Sequence, residues 1–172
     1  MDIIVSDTPI DNLGYNVSDD IKYISLTESK FSNCVGCFGC WVKTPSKCVM
    51  RDDMINIYPV VASSKRLMYI SRVKYGSYDT MMKTFVERLI PIQQPFIRLH
   101  NMETHHVQRN VELKDATIIA YGDIIDEEKQ LFSKLIDRNA HNMNFDKHRV
   151  IFVADKDLQK TVEAEVMKWQ KQ

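Results

Sequence analysis

The sequence predicts an α/β domain in which a parallel sheet is covered by helices on both faces. Two observations carry this. Apolar runs recur at Ile3-Ile4-Val5, Leu67-Met68-Tyr69-Ile70, Ala116-Thr117-Ile118-Ile119-Ala120-Tyr121 and Val150-Ile151-Phe152-Val153, the pattern of buried strands. Between them lie stretches with apolar residues at three-to-four spacing, which read as amphipathic helices. Strands alternating with helices imply parallel pairing, with ligands at the carboxyl ends of the strands. A chain of 172 residues, 44% of them hydrophobic, has the size of one ordinary domain, so residues 1–172 are expected to form one.

Ile3-Ile4-Val5 starts the chain as a strand, and Ile21-Lys22-Tyr23-Ile24-Ser25-Leu26 reads as the second. Residues 7–20 carry Pro9, Gly14 and several Asp and Asn without a helical period, so they read as loop. Asp52-Asp53 can cap a helix bearing Met54, Ile57, Tyr58 and Val61, with Pro59 predicted to kink or break it. Residues 66–71 form a strand, and Tyr75-Gly76-Ser77 turns into a helix over residues 79–90 that buries Met82, Phe85, Val86 and Leu89 and stops at Pro91. Residues 96–99 and 104–107 read as a small hairpin or loop excursion. A strand over 116–121 ends at Gly122-Asp123. A helix over about 126–139, a last strand over 149–153 and a last helix over 157–170 complete the order. The mixed charges of residues 156–171 read as the solvated face of that helix.

Lys plus Arg and Asp plus Glu are equal at 23 each, so no positive excess advertises a nucleic-acid or anionic-membrane partner. No segment has the apolar length of a membrane span, and the start lacks a basic region followed by an apolar run, so a cytoplasmic location is expected.

The four cysteines are concentrated in one loop: Cys34, Cys37 and Cys40 at two-residue gaps, then Cys48. In a reducing compartment, thiols so placed are ligands or redox groups more readily than disulfides. An iron–sulfur cluster, a tetrahedral zinc, a dithiol pair and metal-free packing all remain open for Cys34, Cys37, Cys40 and Cys48. His100, His105 and His106 invite a metal or proton-relay role, but the spacing of nearby acids favours a polar loop. Phe38, Trp41 and Tyr78 read as core or interface packing.

The cysteine loop before Asp52-Asp53-Met54, the strand ending in Ser71-x-x-x-x-Gly76, and the helix carrying Lys83-x-Phe85-x-x-Arg88 together resemble the flavodoxin-like NAD(P)H-dependent FMN reductase and iron–sulfur flavoprotein family. That resemblance implies a flavodoxin-like three-layer sandwich with a five-stranded parallel sheet in the order 2-1-3-4-5, the first helix here reduced or missing. It implies FMN at the carboxyl edge, NAD(P)H as co-substrate, transfer of electrons to a small-molecule acceptor, and a homo-oligomer. The flavin contacts it assigns fall on Thr8 and Asn12 in the first loop, on Ser71, Val73, Lys74, Tyr75, Gly76 and Ser77 in the second, and on Tyr121, Gly122 and Asp123 in the third. Cys34, Cys37, Cys40 and Cys48 are the ligands of a four-iron cluster in the iron–sulfur members. The first loop departs from the family: Ser6-Asp7-Thr8-Pro9-Ile10-Asp11 has lost the usual arginine and puts two acids where a phosphate is expected. Arg72 and Lys74 are candidate replacements as phosphate partners. The rival expectation is a flavodoxin-like module that binds no flavin and serves protein interaction.

Overall fold

The computed structural model describes residues 1–11, 20–100 and 102–171. Five parallel strands form the sheet: β1 (Asp2–Ser6), β2 (Ile21–Ser25), β3 (Arg66–Lys74), β7 (Lys114–Tyr121) and β8 (Phe145–Val153). Their order, β2-β1-β3-β7-β8, is the expected 2-1-3-4-5. A two-residue strand, β4 (Ser77–Tyr78), folds back antiparallel on the end of β3. Strands β5 (Gln93–His100) and β6 (Glu103–Gln108) make a separate antiparallel hairpin where the sequence suggests one.

Alternate side chains of each central strand enter opposite cores, as strand geometry requires. Ile3, Val5, Leu67, Tyr69, Ala116 and Ile118 face one core, and Ile4, Met68, Ile70 and Ile119 face the other. The first core is closed by three helices. A four-residue helix, α1 (Gly39–Val42), lies within the cysteine loop; the three that close the core are α2 (Met54–Ser63), α3 (Thr80–Glu87) and α4 (Asp126–Met143), which contribute Ile57, Val61, Met82, Phe85, Phe132 and Ile136. The second is closed by α5 (Leu158–Gln170) through Leu158, Val162, Val166 and Trp169. The result is three layers. The expectation about the first helix falls on residues 12–19, outside the described residues, as does Asn12. No helix among the described residues is long and apolar enough to cross a membrane.

Two local expectations are corrected. Pro59 does not break α2, which continues to Ser63; Met54, Ile57, Tyr58 and Val61 are buried on one side, and their packing offsets the missing backbone donor. The helix after β4 ends at Glu87, and Pro91 lies in a separate 3-10 turn, Ile90–Ile92.

Candidate functional site at the carboxyl edge of the sheet

In a doubly wound sheet the strand order reverses between β1 and β3, and the two connections leave in opposite directions there, opening a crevice. The residues at this point are Ser6-Asp7-Thr8 after β1 and residues 71–77 along β3 and its turn, with Tyr121-Gly122-Asp123 after β7 alongside. A cavity of about 350 Å³ opens among Asp7, Arg72, Asp79, Thr80, Met81 and Tyr121.

Asp7 is the hub. Its Oδ2 accepts from the Ser71 hydroxyl at 2.9 Å and from the Arg72 backbone N–H at 2.9 Å, and its Oδ1 accepts from the Tyr121 hydroxyl at 2.9 Å. Three donors on two oxygens suit an ionised carboxylate. Burial raises the carboxyl above its ordinary range, while the bonds from Ser71, Tyr121 and Arg72 pull the other way.

The backbone of the first loop is also engaged. The Asp7 N–H donates to the Ile70 carbonyl at 3.1 Å, and the Ser6 hydroxyl donates to the Thr8 carbonyl at 2.6 Å while accepting the Thr8 N–H at 3.3 Å. Amides already bonded to the chain cannot cradle an anion.

The second loop is a tight hairpin. Val73 pairs with Tyr78 and Lys74 with Ser77, and the turn is made by Tyr75 and Gly76 at φ values of 54° and 68°, the combination that favours glycine. Tyr75 is 89% exposed. A Cβ on Gly76 would come within 2.6 Å of Leu131 Cδ2, so the glycine also lets α4 close on the turn. Val73 and Tyr78 point into the core, and Lys74 pairs with Asp79 at 3.3 Å.

At the third loop the Arg72 guanidinium lies 4.6 Å from the Tyr121 ring centroid and pairs with Asp155. A Cβ on Gly122, at φ 128°, would approach Arg72 Nη1 to 3.4 Å. Arg72 thus covers the floor between the second and third loops. Arg72 and Asp155 are both partly exposed, and such a pair contributes little to stability, so the side chain can leave. Asp123 and Gly122 border a second cavity of about 320 Å³ with Lys129, Phe152 and Val153.

These residues do not fit the phosphate of FMN. Around the cavity three carboxylates, Asp7, Asp79 and Asp155, face two cations, Arg72 and Lys74, each already paired with one of them. Among the described residues, a dianion would meet the buried Asp7 carboxylate and two cations that each already face an acid.

The cysteine loop is tied down from both sides. Its base is held by Asp52 and Asp53; of the two expected caps of α2, Asp53 makes no side-chain cap bond, while Asp52 accepts the N–H of the first helical residue, Met54. Asp53 Oδ2 accepts the Lys30 N–H at 2.6 Å, and Asp52 accepts the Ser32 N–H at 3.2 Å and the Met54 N–H at 3.3 Å. Asp52 also receives both terminal nitrogens of Arg88 at 2.8 Å, and Arg88 donates to the Ser32 carbonyl. At the far side the Trp41 indole N–H donates to the Gln93 carbonyl at 3.0 Å, with Phe38 stacked on one side and His106 on another.

Cys37 is exposed and Cys34, Cys40 and Cys48 are half-buried. Burial and the neighbouring Cys48 push the Cys40 thiol up. The donor set, four thiols, has the chemistry of an iron–sulfur or zinc site. Among the described residues no group of three or more His, Cys, Asp or Glu side chains converges at ligand distance.

The histidines need a correction, because an acid does stand beside them. His105 faces Glu103 Oε2 at 3.1 Å and Asn142 Oδ1 at 3.0 Å. Its ring lies 5.2 Å from that of His141 and 6.2 Å from that of His100. Alternation along β6 puts Glu103 and His105 on one face, a signal present in the sequence; His141, Asp155 and the Arg72 contact arise only from the fold.

No protein-family model matches the chain. An iron–sulfur flavoprotein of Archaeoglobus fulgidus is 30% identical over 82 residues, a segment that is 48% of this chain and 34% of that relative. Among solved structures, Smu.1420 from Streptococcus mutans superposes with a TM-score of 0.62 at 13% identity, covering 97% of each chain. An FMN-dependent NADH-azoreductase from Bacillus anthracis in complex with FMN superposes with a TM-score of 0.58 at 9% identity, covering 98% of this chain and 97% of that one. The chain therefore shares the flavodoxin-like fold of these structures, and its sequence is similar to that of an iron–sulfur flavoprotein.

Proposed function

We propose that this chain is a flavin-dependent oxidoreductase domain that takes reducing equivalents from a reduced nicotinamide and passes them to a small-molecule acceptor. The observation that carries the reading is the meeting of Asp7 after β1, Arg72 near the end of β3 and Tyr121 at the end of β7 around one cavity at the β1/β3 switch point, where this fold class binds its ligands. A flavin supplies the redox chemistry itself. Residues 71–77 and Tyr121-Gly122 would hold the ring and exclude water there. Titration of riboflavin and FMN into the purified protein, followed by flavin fluorescence, tests the reading, together with NADH and NADPH oxidation in the presence of the bound flavin. Quenching with nicotinamide oxidation supports it. Absence of both, in folded protein, leaves the interaction-module reading, which the commitment of Asp7 to the chain's own donors favours.

A second element rests on the likeness to an iron–sulfur flavoprotein. We propose that Cys34, Cys37, Cys40 and Cys48, which are not gathered at ligand distance as the loop stands, would close together to hold a four-iron cluster, which would supply one-electron transfer. Four acid-labile sulfides and four irons per chain after anaerobic purification would support it; colourless protein without iron would refute it.

A further inference from the structure

We propose that the Asp7 carboxylate is a built-in substitute for a ligand phosphate, so that the switch-point site takes a phosphate-free flavin, of the riboflavin class, and rejects FMN. The inference rests on the flavin reading above and deepens it by naming which flavin.

Three independent features support it. The donors that converge at the switch point, the Ser71 hydroxyl, the Arg72 N–H and the Tyr121 hydroxyl, all end on Asp7, each at 2.9 Å. The two amides that directly follow β1 are bonded within the chain, Asp7 N–H to Ile70 and Thr8 N–H to the Ser6 hydroxyl. The cations within reach, Arg72 and Lys74, are paired with Asp155 and Asp79. A second anion placed here would face the Asp7 charge and compete with it for these three donors, and in a partly buried site that repulsion is poorly screened. A neutral ribityl chain carries hydroxyls that donate as well as accept, so it meets the same carboxylate with hydrogen bonds.

The test is a fluorescence titration of riboflavin and FMN against wild type, Asp7→Asn and Asp7→Ser. Asp7→Asn keeps the shape and one acceptor, so it serves if Asp7→Ser does not fold; circular dichroism and thermal melting establish the folded state of each. The expected result is that wild type binds riboflavin at least tenfold more tightly than FMN and that both variants narrow or reverse that ratio by at least tenfold. A purely structural Asp7 would alter stability and leave the ratio unchanged, which overturns the proposal. Equal affinity of wild type for the two flavins also overturns it, while leaving the flavin reading intact. Binding of neither flavin by any of the three folded proteins overturns both.

Discussion

Replacing Asp52 with Ala should undo the docking of the cysteine loop and destabilise the whole domain. Arg88 is 2% exposed, and its guanidinium donates to both oxygens of Asp52 at 2.8 Å and to the Ser32 carbonyl. Removing the carboxylate leaves a buried cation with one oxygen partner, which costs about 3–5 kcal/mol. The Ser32 and Met54 amides lose their acceptor as well. Against a total stability of about 5–15 kcal/mol, and with a urea m-value of about 2 kcal/mol/M, the midpoint should fall by about 2 M. The double variant Asp52→Ala with Arg88→Met removes the stranded charge and should regain at least half of the loss. Alkylation of Cys48 should quicken in the single variant, because the loop base is released. Acid adds a check. Burial raises the Asp52 carboxyl, but the Arg88 bonds and the Ser32 and Met54 amides outweigh it and hold it below the ordinary range. Its folded-state value is depressed, so its contribution is present above the unfolded value of about 4 and is lost as pH falls through the lower folded one. That acid-sensitive portion should be missing from Asp52→Ala. A midpoint shift under about 0.5 M, or a double variant no more stable than the single one, would refute the reasoning.

Lys114 is fully buried, its ammonium donating to the carbonyls of Ala62, Ser64 and Glu112, and burial lowers its pKa to about 8. The unfolded chain then binds more protons between pH 8 and about 10.4, so stability should climb with pH across that window by about 3 kcal/mol; denaturation of wild type against Lys114→Met at stepped pH should show the rise only in wild type. Gly76→Ala places a methyl group at φ 68° and within 2.6 Å of Leu131; a loss of about 2–3 kcal/mol is expected by thermal unfolding, and a neutral result would mean that the turn can reshape. The Tyr69 hydroxyl is fully buried with no hydrogen-bond partner among the described residues. Tyr69→Phe should therefore raise stability by about 1 kcal/mol, read as a higher urea midpoint. Among the cysteines, mass spectrometry of a brief iodoacetamide pulse should find exposed Cys37 labelled first and Cys40, with its raised thiol, last.

The layers of this fold were legible because they rest on local regularities. The runs at Ile3-Ile4-Val5 and residues 116–121 are apolar on both faces, and they become β1 and the end of β7. Met82 and Phe85, three apart, become the buried stripe of α3. The turn at Tyr75-Gly76 was legible too, since it lies between a strand and a helix start, whereas the two-residue strand β4 that makes it a hairpin was not. The meaning of the acidic residues was not. Asp52-Asp53 before an apolar helix reads as a cap, and Asp52 does accept the Met54 N–H, yet the same acids also serve Lys30, Ser32 and Arg88, up to 36 residues away. Local pattern cannot distinguish a carboxylate that caps its own helix from one that clamps a distant loop.

The amino-acid pattern by itself determined the α/β class, the strand order through its likeness to the flavodoxin-like reductases, and the place of the cysteine loop, because periodicity and motif spacing are properties of neighbouring residues. It also marked the first loop as unusual, with Asp7 where a phosphate seat is expected. Only the tertiary structure decided what Asp7 does. Its partners Ser71, Arg72 and Tyr121 lie 64, 65 and 114 residues along the chain and meet it because parallel strands align their carboxyl ends. Three donors converging on one buried carboxylate are a product of that alignment, which no local pattern around Asp7 could show.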